Sequence, residues 1–110
     1  MSSFLRNEIV LIKYPFSDLS TFKIRPAIVI NGNHPSDDLI IVPLTSRTSN
    51  QLPGEFNLTF WRESGLNIQS TVKRGIFTID EKLVIQRIGT LQQVDIVKLN
   101  KSLLSWLEFE

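Results

Sequence analysis

Arg25, Thr45, Ser46, Arg47, Ser70, Lys73 and Arg74 are the residues of this chain whose types and spacing could handle a phosphate. Arg25 opens an apolar run at 25–30, residues 45–47 close another at 39–44, and Ser70, Lys73 and Arg74 belong to a later extended segment. A guanidinium is a planar fork of donors that matches two phosphate oxygens at once, and neighbouring hydroxyls add donors that rotate to suit. If the two apolar runs pair antiparallel, the start of one lies beside the end of the other, and Arg25 becomes a neighbour of Thr45. Arg and Thr at strand ends are also commonly just solvated. The constellation alone therefore admits both a phosphate clamp and an ordinary wet edge.

Other chemistries find less support. The chain has no cysteine, which excludes a disulfide framework, a thiolate metal site and a thiol nucleophile. The lone histidine, His34, stands beside Pro35 in a polar stretch without a nucleophile near it, and is read as a solvated loop residue. Asp37 and Asp38 are adjacent, so on an extended chain they face opposite ways, and no spaced carboxylate or histidine follows to complete a metal site. Phosphate-loop, dinucleotide and zinc-protease motifs are missing. No cofactor and no metal are expected. With 12 basic and 11 acidic residues the formal net charge is +1, so composition does not announce a nucleic-acid binder and any basic site must be made locally.

The elements that must position these residues are mostly strands. At 110 residues, 42% hydrophobic and 21% charged, the chain has the size and composition of one self-supporting domain, 1–110. The uninterrupted aliphatic run 9–12 is far short of the roughly 20 residues a membrane span needs. A cytoplasmic protein without a membrane partner is expected. Residues 8–14 are β-branched and aromatic up to Pro15 and predict a first strand, followed by a partly packed loop over 16–24, where turn-forming polar residues mix with Leu19 and Phe22. Residues 25–30 predict a second strand, with Pro26 at its beginning, stopped by Asn31, Gly32 and Asn33. The run 39–44 reads as a third strand, buried on both faces.

Strict alternation at 55–60 places Phe56, Leu58 and Phe60 on a core face. After a turn at 63–65, extended segments are predicted at 70–73 and 83–88. From 92 to 107 the period becomes helical, with Ile96, Leu99, Leu103 and Trp106 or Leu107 as the stripe and Asp95 in the first turn. No helix separates the strands, so the sheet is expected to be antiparallel. The fold class is mainly β: a compact antiparallel barrel finished by one C-terminal α-helix.

The order of motifs resembles the MazF/PemK family of toxins from toxin–antitoxin modules. The similar pieces are EIVLIKYPF at 8–16, KIRPAIVI at 23–30 and IVPLTS at 41–46. Trp61, Gly65 with Leu66, Ser70, TID at 78–80 and IGTL at 88–91 follow in the family's order and carry the likeness across nearly the whole chain. The resemblance implies an SH3-like barrel and a metal-independent endoribonuclease that cleaves single-stranded messenger RNA, leaving 2′,3′-cyclic phosphate and 5′-OH ends. It also implies a homodimer and a cognate antitoxin that restrains the activity. Arg25 and Thr45 match the family's catalytic positions and Ser46 an RNA contact; Tyr14, Phe16, Lys23, Arg47, Ser70 and Lys73 are the further RNA-binding positions it suggests.

This chain departs from the family pattern in two places. Asn7 stands where a glycine usually precedes the first strand, a substitution that Asn tolerates through its ease in positive φ. Where some members carry an arginine and an aspartate after the Ser70 position, this chain has Lys73, Arg74 and Gly75, so no carboxylate there offers a general base. The alternative from another class is a non-catalytic SH3-like module that binds RNA or a partner protein.

Overall fold

Three neighbouring strands, β1 (Glu8–Pro15), β2 (Phe22–Val29) and β3 (Asp38–Thr45), form the centre of the sheet. They come from a computed structural model that describes residues 4–15, 22–32 and 35–109. β-Branched residues crowd these strands, as expected where both faces are covered. Alternation sorts their side chains into two cores. Ile9, Ile28, Val42 and Leu44 face one side, where Leu58, Val72, Leu91, Leu99 and Leu103 close over them. Val10, Ile12, Ala27, Val29, Leu39 and Ile41 face the other, with Ile79 beneath and Phe4, Tyr14, Leu83 and Val84 at the margin.

The remaining strands are short: β4 (Phe56–Asn57), β5 (Thr71–Val72), β6 (Phe77–Asp80) and β7 (Val84–Thr90). Among the described residues the spatial order is β4-β5-β3-β2-β1-β7, with β6 also on β3, and every pairing is antiparallel. β3 divides its outer edge, pairing through Asp38–Ile41 with β6 and through Leu44 and Thr45 with β5. The molecule measures 30 × 30 × 29 Å, the shape of a sheet wrapped round its contents, since a flat one is a single thin layer. The sheet is barrel-like but not closed. α1 (Gln93–Trp106) buries Leu99 and Leu103 in the first core, with Ile96 and Trp106 packed beside them.

Several expectations are corrected. β2 begins at Phe22, so residues 22–24 belong to the sheet rather than to a loop over 16–24. Their partners are Pro15, Tyr14 and Lys13 of β1; residues 16–21, and with them Phe16, lie outside the described residues. Pro26 is consequently mid-strand, and it is accommodated because the ladder to β3 starts only at Ala27. The strand expected over 55–60 stops at Asn57. Asp95, fully buried at the start of α1, accepts the amides of Thr59 and Phe60 at 2.9 and 3.0 Å and so draws that segment out of the ladder. The strand expected over 83–88 begins at Val84, after a 3-10 turn at Glu81–Leu83 capped by the Asp80 carboxylate. β6 was not among the expected strands; of the two alternatives for the last stripe position, Trp106 packs on the core while Leu107 is half exposed.

Candidate functional site

The same alternation that builds the second core delivers a polar cluster at its end. Tyr14 continues the face of Val10 and Ile12, Arg25 that of Ala27 and Val29, and Thr45 that of Leu39 and Ile41. The β2–β3 ladder ends where Ala27 pairs with Pro43; beyond it Thr45 pairs with Thr71 of β5, and Arg25 and Thr45 line the same groove. Arg25 also pairs with Ile12 of β1. The neighbourhood expected for Arg25 and Thr45 is present, since both line the same depressions where the antiparallel β2 and β3 diverge.

Two depressions meet there. An open groove of about 660 Å³ is lined by Arg25, Thr45, Ser46, Arg47, residues 49–52, Glu55, Thr71 and Lys73. A smaller one of about 210 Å³ is lined by Tyr14, Arg25, residues 43–45, Lys73, Arg74 and Phe77. Arg25, Thr45 and Lys73 belong to both. Among the described residues, four cations, Arg25, Arg47, Lys73 and Arg74, thus surround the junction against one carboxylate, Glu55. A chain with net charge +1 has concentrated positive charge at one end of its sheet, which favours a polyanion.

Local hydrogen bonds hold the walls. The hydroxyl oxygen of Thr45 accepts the amide of Arg47 at 3.2 Å, which turns the chain out of β3 and leaves the hydroxyl proton available for a ligand. Glu55 ties the loop that follows β3 to the segment after β5, its two oxygens accepting the amides of Leu52 at 2.7 Å and Arg74 at 2.8 Å. Lys73 is fixed by its own amide, which donates to the Pro43 carbonyl at 3.0 Å. The far end of the loop is anchored by α1: Ser102 donates to the Gly54 carbonyl at 2.7 Å, and the Trp106 indole donates to the Pro53 carbonyl at 3.0 Å. Gly54 has φ +86°, and a Cβ there would collide with the indole of Trp106. Only glycine meets both demands.

Tyr14 stacks edge-on against Phe77, with ring centroids 6.0 Å apart. Its hydroxyl is buried without a hydrogen-bond partner among the described residues, and burial pushes its pKa up to about 12. The phenol is therefore a neutral donor throughout the physiological range.

Of the residues selected from the sequence, Tyr14, Arg25, Thr45, Ser46, Arg47 and Lys73 line these depressions. Lys23 is exposed and lies opposite Tyr14 in the register, but lines neither. Ser70 is buried, and its hydroxyl donates to the Ile68 carbonyl at 3.1 Å. The sequence reading missed Gln51, Glu55, Thr71 and Phe77. The polar run 46–51 was the available signal, but its proximity to β5 arises from tertiary structure. Among the described residues, no group of three or more His, Asp or Glu is placed to hold a metal ion.

An antiparallel, barrel-like sheet with a terminal helix and a basic, hydroxyl-lined groove defines a small β domain of SH3-like, barrel-like class. The chain belongs to the PemK-like, MazF-like toxins of type II toxin–antitoxin systems, whose family model matches residues 5–107. Its fold is similar to that of an endoribonuclease in complex with its cognate antitoxin from Mycobacterial species: TM-score 0.77, 18% identity, 98% of each chain covered. The MazE–MazF complex from Deinococcus radiodurans is also similar, with TM-score 0.80 and 16% identity over 100% of both chains. A further endoribonuclease from Mycobacterial species gives TM-score 0.74 and 19% identity, covering 98% of this chain and 94% of the other. No curated protein is significantly similar in sequence.

Proposed function

We propose that this chain is the toxin endoribonuclease of a toxin–antitoxin pair and cleaves single-stranded RNA, messenger RNA in the cell, in the groove between Arg25, Thr45 and Lys73. The observation that carries the reading is that Arg25, Thr45 and Lys73 all line the junction of two basic depressions. Membership of the family supports it. In the reaction the ribose O2′ attacks the adjacent phosphorus while the P–O5′ bond breaks. O2′ loses a proton and O5′ gains one, giving a 2′,3′-cyclic phosphate and a 5′-OH. Charge builds on the non-bridging oxygens in the crowded intermediate, and Arg25 offers them two parallel donors. Thr45 adds its hydroxyl proton, and Ser46 orients the same phosphate. Arg47, Lys73 and Arg74 hold flanking phosphates, while Tyr14 and Phe77 offer aromatic surface to an unstacked base.

No cofactor enters this scheme, and Glu55, the one groove carboxylate among the described residues, already accepts two amides. The same positive groove suits an acidic antitoxin segment, so the antitoxin acts by occupying the RNA path. A homodimer in the cytoplasm is the working assembly. The test is incubation of purified protein with single-stranded RNA in EDTA. Cleavage with 5′ ends that a kinase labels directly is expected; activity that requires added Mg²⁺, or 5′-phosphate ends, overturns the chemistry. Tight RNA binding without cleavage would favour the non-catalytic module instead.

A further inference from the structure

Gln51 carries a side-chain amide whose two ends are not equivalent. It is exposed and lines the same groove as Arg25 and Thr45. Its Nε2 donates to Asn57 Oδ1 at 2.5 Å and lies 3.4 Å from both the Thr48 carbonyl oxygen and Thr71 Oγ1. The Thr71 hydroxyl donates to the same Asn57 oxygen at 2.5 Å, so that oxygen is an acceptor for both neighbours. The Thr48 carbonyl can only accept. Turning the Gln51 amide over would set its oxygen against the Thr48 carbonyl, which can only accept, and against the Asn57 oxygen in the orientation that Asn57 has here, so the network favours the orientation seen. The nitrogen is committed to protein acceptors, while Oε1 receives no hydrogen bond from a described residue and keeps both lone pairs for a ligand.

We infer that Gln51 is a specificity-determining residue of the groove, its Oε1 accepting a hydrogen bond from the exocyclic amino group of an RNA base. A freely rotating glutamine reads a donor or an acceptor equally well, because its amide turns to suit. One held by Asn57, Thr48 and Thr71 reads only donors. Adenine, cytosine and guanine each present an amino group, whereas the single N–H on the pairing edge of uracil is flanked by two carbonyl oxygens that repel an approaching acceptor. The groove therefore selects an amino-bearing base against uracil at one position close to the cleaved phosphate. This rests on the nuclease reading above and identifies which chemical feature of the RNA that site recognises.

The experiment uses a cleaved single-stranded RNA in which each amino-bearing base is replaced in turn by its analogue lacking only the amino group: purine for adenine, 2-pyrimidinone for cytosine, hypoxanthine for guanine. For wild-type protein, deletion at one position should lower kcat/KM about tenfold, the worth of one well-placed hydrogen bond. In Gln51→Ala the same deletion should cost less than about twofold, because the acceptor it served is gone. Gln51→Met, which fills similar space without an acceptor, replaces the alanine variant if that variant melts below the assay temperature. Sensitivity that persists unchanged in both variants, or wild-type cleavage indifferent to every amino deletion, overturns the role of Gln51 and leaves the nuclease reading standing. Failure to cleave any RNA overturns both.

Discussion

Replacing Glu55 by Gln should move RNA binding and RNA cleavage in opposite directions. The carboxylate accepts the amides of Leu52 and Arg74 at 2.7 and 2.8 Å; glutamine keeps one acceptor and turns an NH₂ group against the other amide. Bonds to a charged acceptor are worth roughly 1.5–3 kcal/mol each. Leu52 and Arg74 are both exposed, so water takes over the orphaned amide and the net loss falls to about 1 kcal/mol. For a chain of this size that lowers Tm by about 4–8 °C. Ser102 and Trp106 still anchor the loop at Gly54 and Pro53, so the damage is confined to the tether between the loop and Lys73.

A misplacement of about 1 Å at a reacting centre can cost about 10²-fold in rate, and a fall of roughly 10- to 100-fold in single-turnover cleavage is expected. Removing the one negative charge that the described residues bring to the groove simultaneously relieves repulsion of the RNA backbone. Binding to a non-cleavable 2′-deoxy analogue should tighten by roughly two- to fivefold, the scale of an exposed charge interaction. Fluorescence anisotropy and single-turnover kinetics on the same preparation read the two effects. An unchanged cleavage rate at a lowered Tm would refute the idea that this tether holds the reacting groups.

Tyr14→Phe should stabilise the protein by about 1 kcal/mol in urea melts at neutral pH, because it removes a buried hydroxyl that has no partner among the described residues. Its advantage should grow as pH rises from 10.0 towards about 12, the ordinary and the folded pKa of Tyr14. In that window the folded wild type holds more protons than the unfolded chain and loses stability with increasing pH. As Tyr14 is the one tyrosine of the sequence, its phenolate absorbance should titrate near 12; a midpoint near 10 would contradict the burial argument. Gly54→Ala should destabilise by roughly 2 kcal/mol, combining a left-handed backbone with a collision against Trp106. Thermal melting should show a drop of roughly 8–16 °C, and an unchanged Tm would mean that the indole does not hold this loop.

Strands β1 and β3 and helix α1 were legible within a residue or two because their hydrophobic period is local and their punctuation, Pro15 and the turn residues 31–33, is strong. Elements that depend on a distant partner were harder. The start of β2 at Phe22 is stabilised by pairing with β1, which outweighs the loop-like composition of the preceding residues. β6 has one buried side chain, Ile79, and exists because β3 offers it an edge. The end of β4 was hidden because the carboxylate that redirects residues 58–60 comes from Asp95, far along the chain.

The candidate site divides in the same way. Arg25 and Thr45 could be paired from strand order alone, since antiparallel neighbours bring opposite ends together. Gln51 and Glu55 sit in a polar loop whose composition suggests only solvent exposure. Their value comes from partners at Asn57, Thr71 and Arg74. Ser70 shows the converse, because its place in the motif order suggested RNA contact while its hydroxyl is turned inward to Ile68.

The central claim is that the junction of Arg25, Thr45 and Lys73 is where RNA is cut, and single-turnover cleavage by Arg25→Ala, measured beside thermal melting, tests it most directly. Arg25 lies mid-strand in β2, but its side chain lines an open groove outside the apolar core, where truncating a polar side chain usually changes stability by no more than about 0.5 kcal/mol. Deleting one preorganised donor to developing charge costs about 10²- to 10³-fold in rate. The account predicts that loss at a nearly unchanged Tm. Wild-type cleavage by a folded Arg25→Ala protein would contradict it.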